Sequence, residues 1–290
     1  MYQLPLLIRS LPLSFVTLWH YIFVLPLVLV FALPLMVLTI IPMIGSLISV
    51  TIFTFIAFMG YRCALAAFGK GNSPAVEKLV KSSMFFGVIN TLVAAILATL
   101  CFGAALGLEI LGIGSDIDAP WGDALPMVPS LVIIGFFVLN GLYNCAIAVP
   151  MTASAVEATA SGRNPDPLFG IGRGTFSLAF VWILWLVGIY FSGLIQFVIE
   201  QGVFALHQAL GDRISVDPIA VPQYNIVWVI GSIFYLMWGT CWYYATAIIA
   251  WNDEVQRREA ERTRTVEVAR MSAEDLRLLR EARMQKLNQR

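Results

Sequence analysis

The chain has 290 residues, 59% apolar and only 12% charged, with zero net charge and a mean hydropathy of +0.81. A soluble domain carries about 25% charged residues, so the composition excludes an ordinary soluble enzyme. It also offers no strongly basic domain, and no nucleic-acid partner is expected. The charges are segregated: none lies between Arg9 and Arg62, Lys81 and Glu109, Asp123 and Glu157, Arg173 and Glu200, or Asp217 and Asp253. Each gap exceeds the ~20 residues a helix needs to cross the hydrocarbon, and the first is long enough for two crossings. The expected fold is therefore all-α: a polytopic membrane domain of six transmembrane helices over 1–252, then a charged cytoplasmic helical tail over 253–290.

Residues 1–12 read as a short amphipathic segment at the membrane interface. The first span covers 13–35. Trp19, His20 and Tyr21 sit near its start at interfacial depth, which favours an aromatic belt over a proton relay or metal ligand at His20. Pro26 and Pro34 each remove a backbone donor and predict kinks. A turn at Pro42 and Gly45 leads to the second span, 46–68, with Arg62 placed to snorkel from its end. The third span, 84–107, contains Asn90 and ends in Gly103-x-x-x-Gly107, a spacing that lets another helix approach closely. An acidic loop follows over 109–123. Asp116, Asp118 and Asp123 there lack the central Gly and terminal Glu of an EF-hand, so a solvated turn is preferred to a cation site. The fourth span, 130–156, places Asn140 and Asn144 one turn apart. The fifth, 176–199, carries Trp182 and Trp185, and an exported amphipathic helix containing His207 follows over 200–210. The sixth covers 225–251. In the tail, Asp253/Arg257 and Glu254/Arg258 are spaced for i,i+4 ion pairs. Ser272-x-x-Asp275 reads as a capping box, predicting a break near 269–272 and a second helix over 273–287.

Sidedness follows from the cations. The N-terminus, the 62–81 and 157–173 junctions and the tail carry every Lys and Arg except Arg213, whereas the alternate loops are acidic. Cation-rich short loops stay inside, so both termini are expected in the cytoplasm, with the protein in a bacterial inner membrane. The first apolar run is too long for a signal peptide and lacks an A-x-A site. Cys63, Cys101, Cys145 and Cys241 fall inside apolar runs, separated by whole helices. They read as packing residues rather than disulfides or metal ligands.

The junctions repeat. Cys63–Phe86 passes from an Ala-rich helix end through Gly69-Lys70 and Pro74 to Lys78 and Lys81. Ala153–Phe176 repeats the plan with Gly162-Arg163, Pro167 and Arg173. Pro5, Arg9 and Phe15 echo it faintly. The even spans share a looser cue: Gly60-x-x-Cys63-Ala64, Gly141-x-x-x-Cys145-Ala146 and Gly239-x-Cys241. Together these predict three consecutive helical hairpins of one orientation. Over residues 60–180, this junction pattern resembles the YciC-type bacterial inner-membrane proteins and the membrane domain attached to some glycerophosphodiester phosphodiesterases. The resemblance implies a polytopic inner-membrane protein and carries no catalytic residues.

Candidate chemistry is mild. Asn90, Asn140 and Asn144 are intramembrane amides, read first as interhelical hydrogen-bonding groups and second as the lining of a solute path. Lys70, Lys78, Lys81, Arg163 and Arg173 form a basic rim suited to lipid headgroups. Gly170-x-Gly172-x-Gly174 lacks the βαβ setting of a phosphate loop and predicts a bend instead. No catalytic motif appears, and no catalytic residue, metal or cofactor is expected. The leading functional expectation is a non-enzymatic subunit or scaffold of a larger membrane assembly, with membrane lipids and protein partners. The alternative is a small-solute or lipid transporter.

Overall fold

The computed structural model describes residues 5–37, 44–70, 76–110, 127–157, 168–188 and 220–288. Among them, the regular structure is helical throughout: α1 (Leu6–Val37), α2 (Ile44–Ala67), α3 (Val76–Ile110), α4 (Met127–Glu157), α5 (Thr175–Gly188) and α6 (Ala220–Asn288). Five of these, all but α5, are long and apolar enough to cross a membrane. A helix satisfies its backbone groups internally, as hydrocarbon requires, and large side chains such as Leu92, Ile96 and Leu100 on α3 point outward. This is the architecture of a helical multi-pass membrane protein. The acidic loop with Asp116, Asp118 and Asp123, the segment with His207, and Arg163 lie outside the described residues.

The even helices form the centre. α2, α4 and α6 each touch the other two, while α1 lies against α6 and α2, and α3 against α2 and α4. Trp182 and Trp185 of α5 fit against Gly141 of α4 and Gly239 of α6. Half of the apolar stretch of α2 and of α6 is buried inside the protein, against 11% for α3. The shared cue of the even spans lies at this centre. Cys63, Ala64, Cys145 and Cys241 are buried in one core, and Ala146 is half-buried. Each of the three cue glycines receives a ring: Tyr244 at Gly60, Trp182 at Gly141 and Trp185 at Gly239. Gly103 and Gly107, by contrast, face open space among the described residues. The close approach expected there occurs instead where an aromatic ring needs the missing Cβ.

The N-terminal segment is not a separate interfacial helix. α1 runs unbroken from Leu6, started by the Pro5 carbonyl accepting from the Ile8 and Arg9 amides at 2.9 and 3.2 Å. Its polar residues are buried against α6 rather than facing water. Trp238 Nε1–H donates to Ser14 Oγ at 3.1 Å, and Trp242 Nε1–H and Thr246 Oγ1–H donate to Ser10 Oγ at 2.9 Å each. Those hydroxyl partners hold the segment in the bundle.

Two glycine turns shape the junctions. Gly69, at φ 78°, ends α2, and the Lys70 amide reaches back to the Leu65 carbonyl at 3.0 Å, the Schellman closure. Gly170, Gly172 and Gly174 all adopt left-handed φ (66°, 77° and 69°) before α5 begins at Thr175, which is the expected bend. The turn also repairs α4. Pro150 inside α4 has no N–H to offer the Ala146 carbonyl one turn back. The Gly172 amide takes that carbonyl at 3.0 Å.

The tail differs from its expected form. α6 is one helix from Ala220 to Asn288 with no break at 269–272. Ser272 caps only where a helix starts. It is flanked by Ala269, Arg270, Met271 and Ala273, good helix formers without Gly or Pro, so the helix runs through.

Candidate functional site

The three asparagines singled out by their intramembrane position meet in one place. Asn90 of α3 and Asn140 and Asn144 of α4 line a cleft of about 440 Å³ between α2, α3, α4, α5 and α6. Thr54, Thr240, Tyr243, Trp182 and Trp185 complete its polar and aromatic wall, and Phe53, Met151 and Val181 are among its apolar residues. The lining side chains are uncharged. Tyr143 Oη–H donates to Asn90 Oδ1 at 3.2 Å, Asn144 Nδ2–H donates to the Asn140 carbonyl at 2.8 Å, and Tyr243 Oη–H donates to the Asn144 carbonyl at 2.9 Å. These bonds leave Asn90 Nδ2 and the whole Asn140 side-chain amide without a partner among the described residues. Both residues are half-buried and line the cleft, so these groups are available to a ligand. The asparagines are therefore not simply interhelical ties: among the described residues, Asn90 is the only one of the three whose side chain bonds another helix.

α5 is pinned beside the cleft by a reciprocal pair. Trp185 Nε1–H donates to the Leu236 carbonyl of α6 at 3.2 Å, and Tyr235 Oη–H donates to the Leu184 carbonyl of α5 at 2.8 Å. Gly141 and Gly239 let the Trp182 and Trp185 rings lie flush against neighbouring backbones. The sequence flagged the asparagines by polarity. Thr54, Thr240 and the aromatic wall carried no signal of their own, because such residues are common in any apolar helix.

A second constellation closes one end of the bundle. Three consecutive residues of α6, just past Trp251, each bind a cation from a different junction. Lys70 Nζ–H donates to Asn252 Oδ1 at 2.8 Å, with the ammonium 5.1 Å from the Trp251 ring. Arg9 grips Asp253 with both terminal nitrogens, at 2.8 and 3.0 Å. Arg173 Nε lies 3.0 Å from Glu254 Oε2. Glu254, whose side chain is 2% exposed, also receives Arg257 and Arg258 at 2.9–3.0 Å. Arg258 in turn covers the Phe169 ring at 4.2 Å. At 1.5 Å per residue, this clasp lies roughly 12–20 Å along α6 from the cleft residues Gly239–Tyr244.

The clasp corrects several expectations. Glu254 does pair with Arg258, but Asp253 pairs with Arg9 rather than Arg257, which joins Glu254 and Glu261. The inter-helix partner wins because a bidentate guanidinium–carboxylate fork is stronger than a single helical contact. Lys70 and Arg173 are turned into the clasp. Lys78 and Lys81 are exposed on α3, Lys81 pairing with Glu77 at 2.7 Å. Arg62 does not snorkel. It is 8% exposed, and its guanidinium donates to the Ala155 carbonyl at 3.4 Å, at the electronegative end of α4. His20 lies with Nδ1 2.8 Å from the Val16 carbonyl of its own helix. Cys63, Cys145 and Cys241 are buried free thiols. Among the described residues no three His, Cys, Asp or Glu gather as a metal site would require.

Hydrogen bonds from Arg257, joined by Arg258, outweigh burial and hold the Glu254 carboxyl down at about 2. An unfolded glutamate titrates near 4.3. The folded value is the lower one, so the contribution of Glu254 is complete above pH ~4.5 and is lost as pH falls from there toward ~2. The melting temperature of the wild type should drop across that window, and the Glu254→Gln variant should show a flatter profile. Equal slopes in both proteins would show that Glu254 does not contribute in this way.

The chain matches no protein-family model, no curated protein and no solved structure.

Proposed function

We propose that this chain is a six-span bacterial inner-membrane protein that binds a small solute or lipid in its polar cleft and carries it through the bundle without covalent chemistry. The observation that carries this reading is the convergence of Asn90, Asn140 and Asn144 on one cleft. A concave, largely apolar site with a few aimed polar groups is the usual form of a ligand site. It makes transport or lipid handling the better supported reading, ahead of a purely structural subunit. In this proposal the fifth span expected from the sequence over 176–199 brings the count to six. Three hairpins pair α1 with α2, α3 with α4 and α5 with α6; this is supported by the α1–α2 and α3–α4 contacts and by the two hydrogen bonds between α5 and α6. Both termini and the clasp face the cytoplasm, following the cation distribution. The membrane domain is then of the YciC-like type, and Lys78, Lys81 and Arg163 meet lipid headgroups.

A second reading, as a subunit of a larger assembly, is favoured by one observation. α6 continues past the clasp to Asn288, and its described side chains beyond Glu259 are exposed. That helix is a natural handle for a protein partner.

The test is composition after mild extraction. Protein purified from its own membrane should carry a small molecule in stoichiometric amount by native mass spectrometry. Asn140→Leu should lose it while remaining folded, and deletion of 260–290, which spares the clasp, should retain it. Recovery of defined partner proteins with no small molecule, and loss of those partners on deleting 260–290, would reverse the choice.

A further inference from the structure

We propose that the cleft takes an uncharged amphiphile, an apolar body bearing hydroxyl, carbonyl or amide groups; this rests on the cleft being a ligand site. Three features define the class. First, the lining side chains are uncharged. An ion entering would lose its hydration with no counter-charge, at a cost of several kcal/mol. Second, the available polar groups are of both kinds. Asn90 Nδ2 offers donors only, its Oδ1 being held by Tyr143. Asn140 offers donors and an acceptor, and Asn144 keeps its Oδ1 as an acceptor while its Nδ2 is engaged. A carbonyl oxygen satisfies Asn90, and a hydroxyl, which donates and accepts, satisfies Asn140. Third, most of the remaining wall is apolar or aromatic, with Thr54, Thr240 and Tyr243 as further polar residues. From Asn140 to Met151 the cleft follows α4 for roughly 16 Å at 1.5 Å per residue. Val181, Trp182 and Trp185 of α5 also line the cleft, so an apolar body lies against them with its polar group at the asparagines.

The same chemistry arrives from two sources: a glycerol- or sugar-bearing lipid already in the bilayer, or a short-chain uncharged amphiphile from water. Bromine quenches tryptophan fluorescence on contact, and Trp182 and Trp185 both line the cleft. The full chain in phosphatidylcholine nanodiscs would be titrated with dibromostearoyl glycerol (uncharged), dibromostearate (anionic) and dibromostearylamine (cationic). The uncharged probe should give saturable quenching that disappears in the Trp182→Phe/Trp185→Phe double variant. Asn140→Leu and Asn90→Ala should each weaken it about tenfold, the worth of one hydrogen bond, with melting temperature confirming that each variant is folded. Competition by 1,2-hexanediol, a water-soluble uncharged amphiphile, identifies an aqueous source, and its failure to compete a membrane-borne one. Either result supports the class. Saturable quenching by a charged probe as strong as by the uncharged one overturns the class but leaves the ligand site standing. No saturable quenching by any probe overturns both.

Discussion

Replacing Glu254 with leucine should destabilise the protein by about 3 kcal/mol, the order seen when one partner of a buried ion cluster is removed. The Glu254 side chain is 2% exposed and collects Arg173, Arg257 and Arg258. Without it, three guanidinium groups face one another across an apolar residue. The loss also detaches the glycine turn that leads into α5, because Gly170 packs on Glu254 and Arg173 belongs to that turn. Glu254→Gln should lose less, since the amide still accepts from an arginine. Glu261→Gln removes only an exposed helical pair, worth a few tenths of a kcal/mol, and should be nearly silent. Thermal unfolding in nanodiscs separates the three, and equal melting temperatures for the Glu254→Leu and Glu261→Gln variants would contradict the clasp.

The second large effect is expected at Gly60. A Cβ there meets the ring of Tyr244. That ring is itself wedged between Tyr61 and Tyr21, with centroids 4.9 and 6.1 Å away, and is 6% exposed. It has nowhere to retreat, so Gly60→Val should cost about 2–3 kcal/mol by overpacking the α2–α6 contact. Gly103→Val is the control. Its Cβ meets nothing among the described residues, so its stability should hold or rise slightly, a glycine in mid-helix being unfavourable by itself. If Gly103→Val is the damaging substitution, the packing described for the inner helices is wrong.

Much of this arrangement was readable from residue order, and the failures are informative. Charge-free stretches mark apolar spans because hydrocarbon excludes ions, and five of the expected helices appear at spanning length. The Gly–Cys–Ala cue of the even spans was visible because helices that meet at a centre need small residues where they touch. Gly103-x-x-x-Gly107 looked better than the cue as a motif, but spacing alone does not say which face turns inward. Asn90, Asn140 and Asn144 stood out as polar groups in apolar runs. That they share one cleft depends on the rotation of α3 and α4, which periodicity does not reveal when helices are apolar all round. Local rules misled in three places. Ser10 looked interfacial until α6 supplied an indole donor. Asp253 looked like a helical i,i+4 partner until Arg9 arrived from the far end of the chain. Ser272 had cap chemistry but no helix start to cap.

The account turns on whether the cleft admits water and solute. A thiol is reactive only as thiolate, which forms in water and not in hydrocarbon. The decisive measurement is the labelling rate of a single cysteine at Asn140, with Cys63, Cys101, Cys145 and Cys241 replaced by alanine. The probe would be a small uncharged methanethiosulfonate, applied to membranes. Ile96, outward-facing on α3, supplies the control cysteine. The account predicts rapid labelling for Asn140→Cys and negligible labelling for Ile96→Cys. Equal, negligible labelling at both positions would mean that the asparagines serve packing alone and that the cleft is not a path.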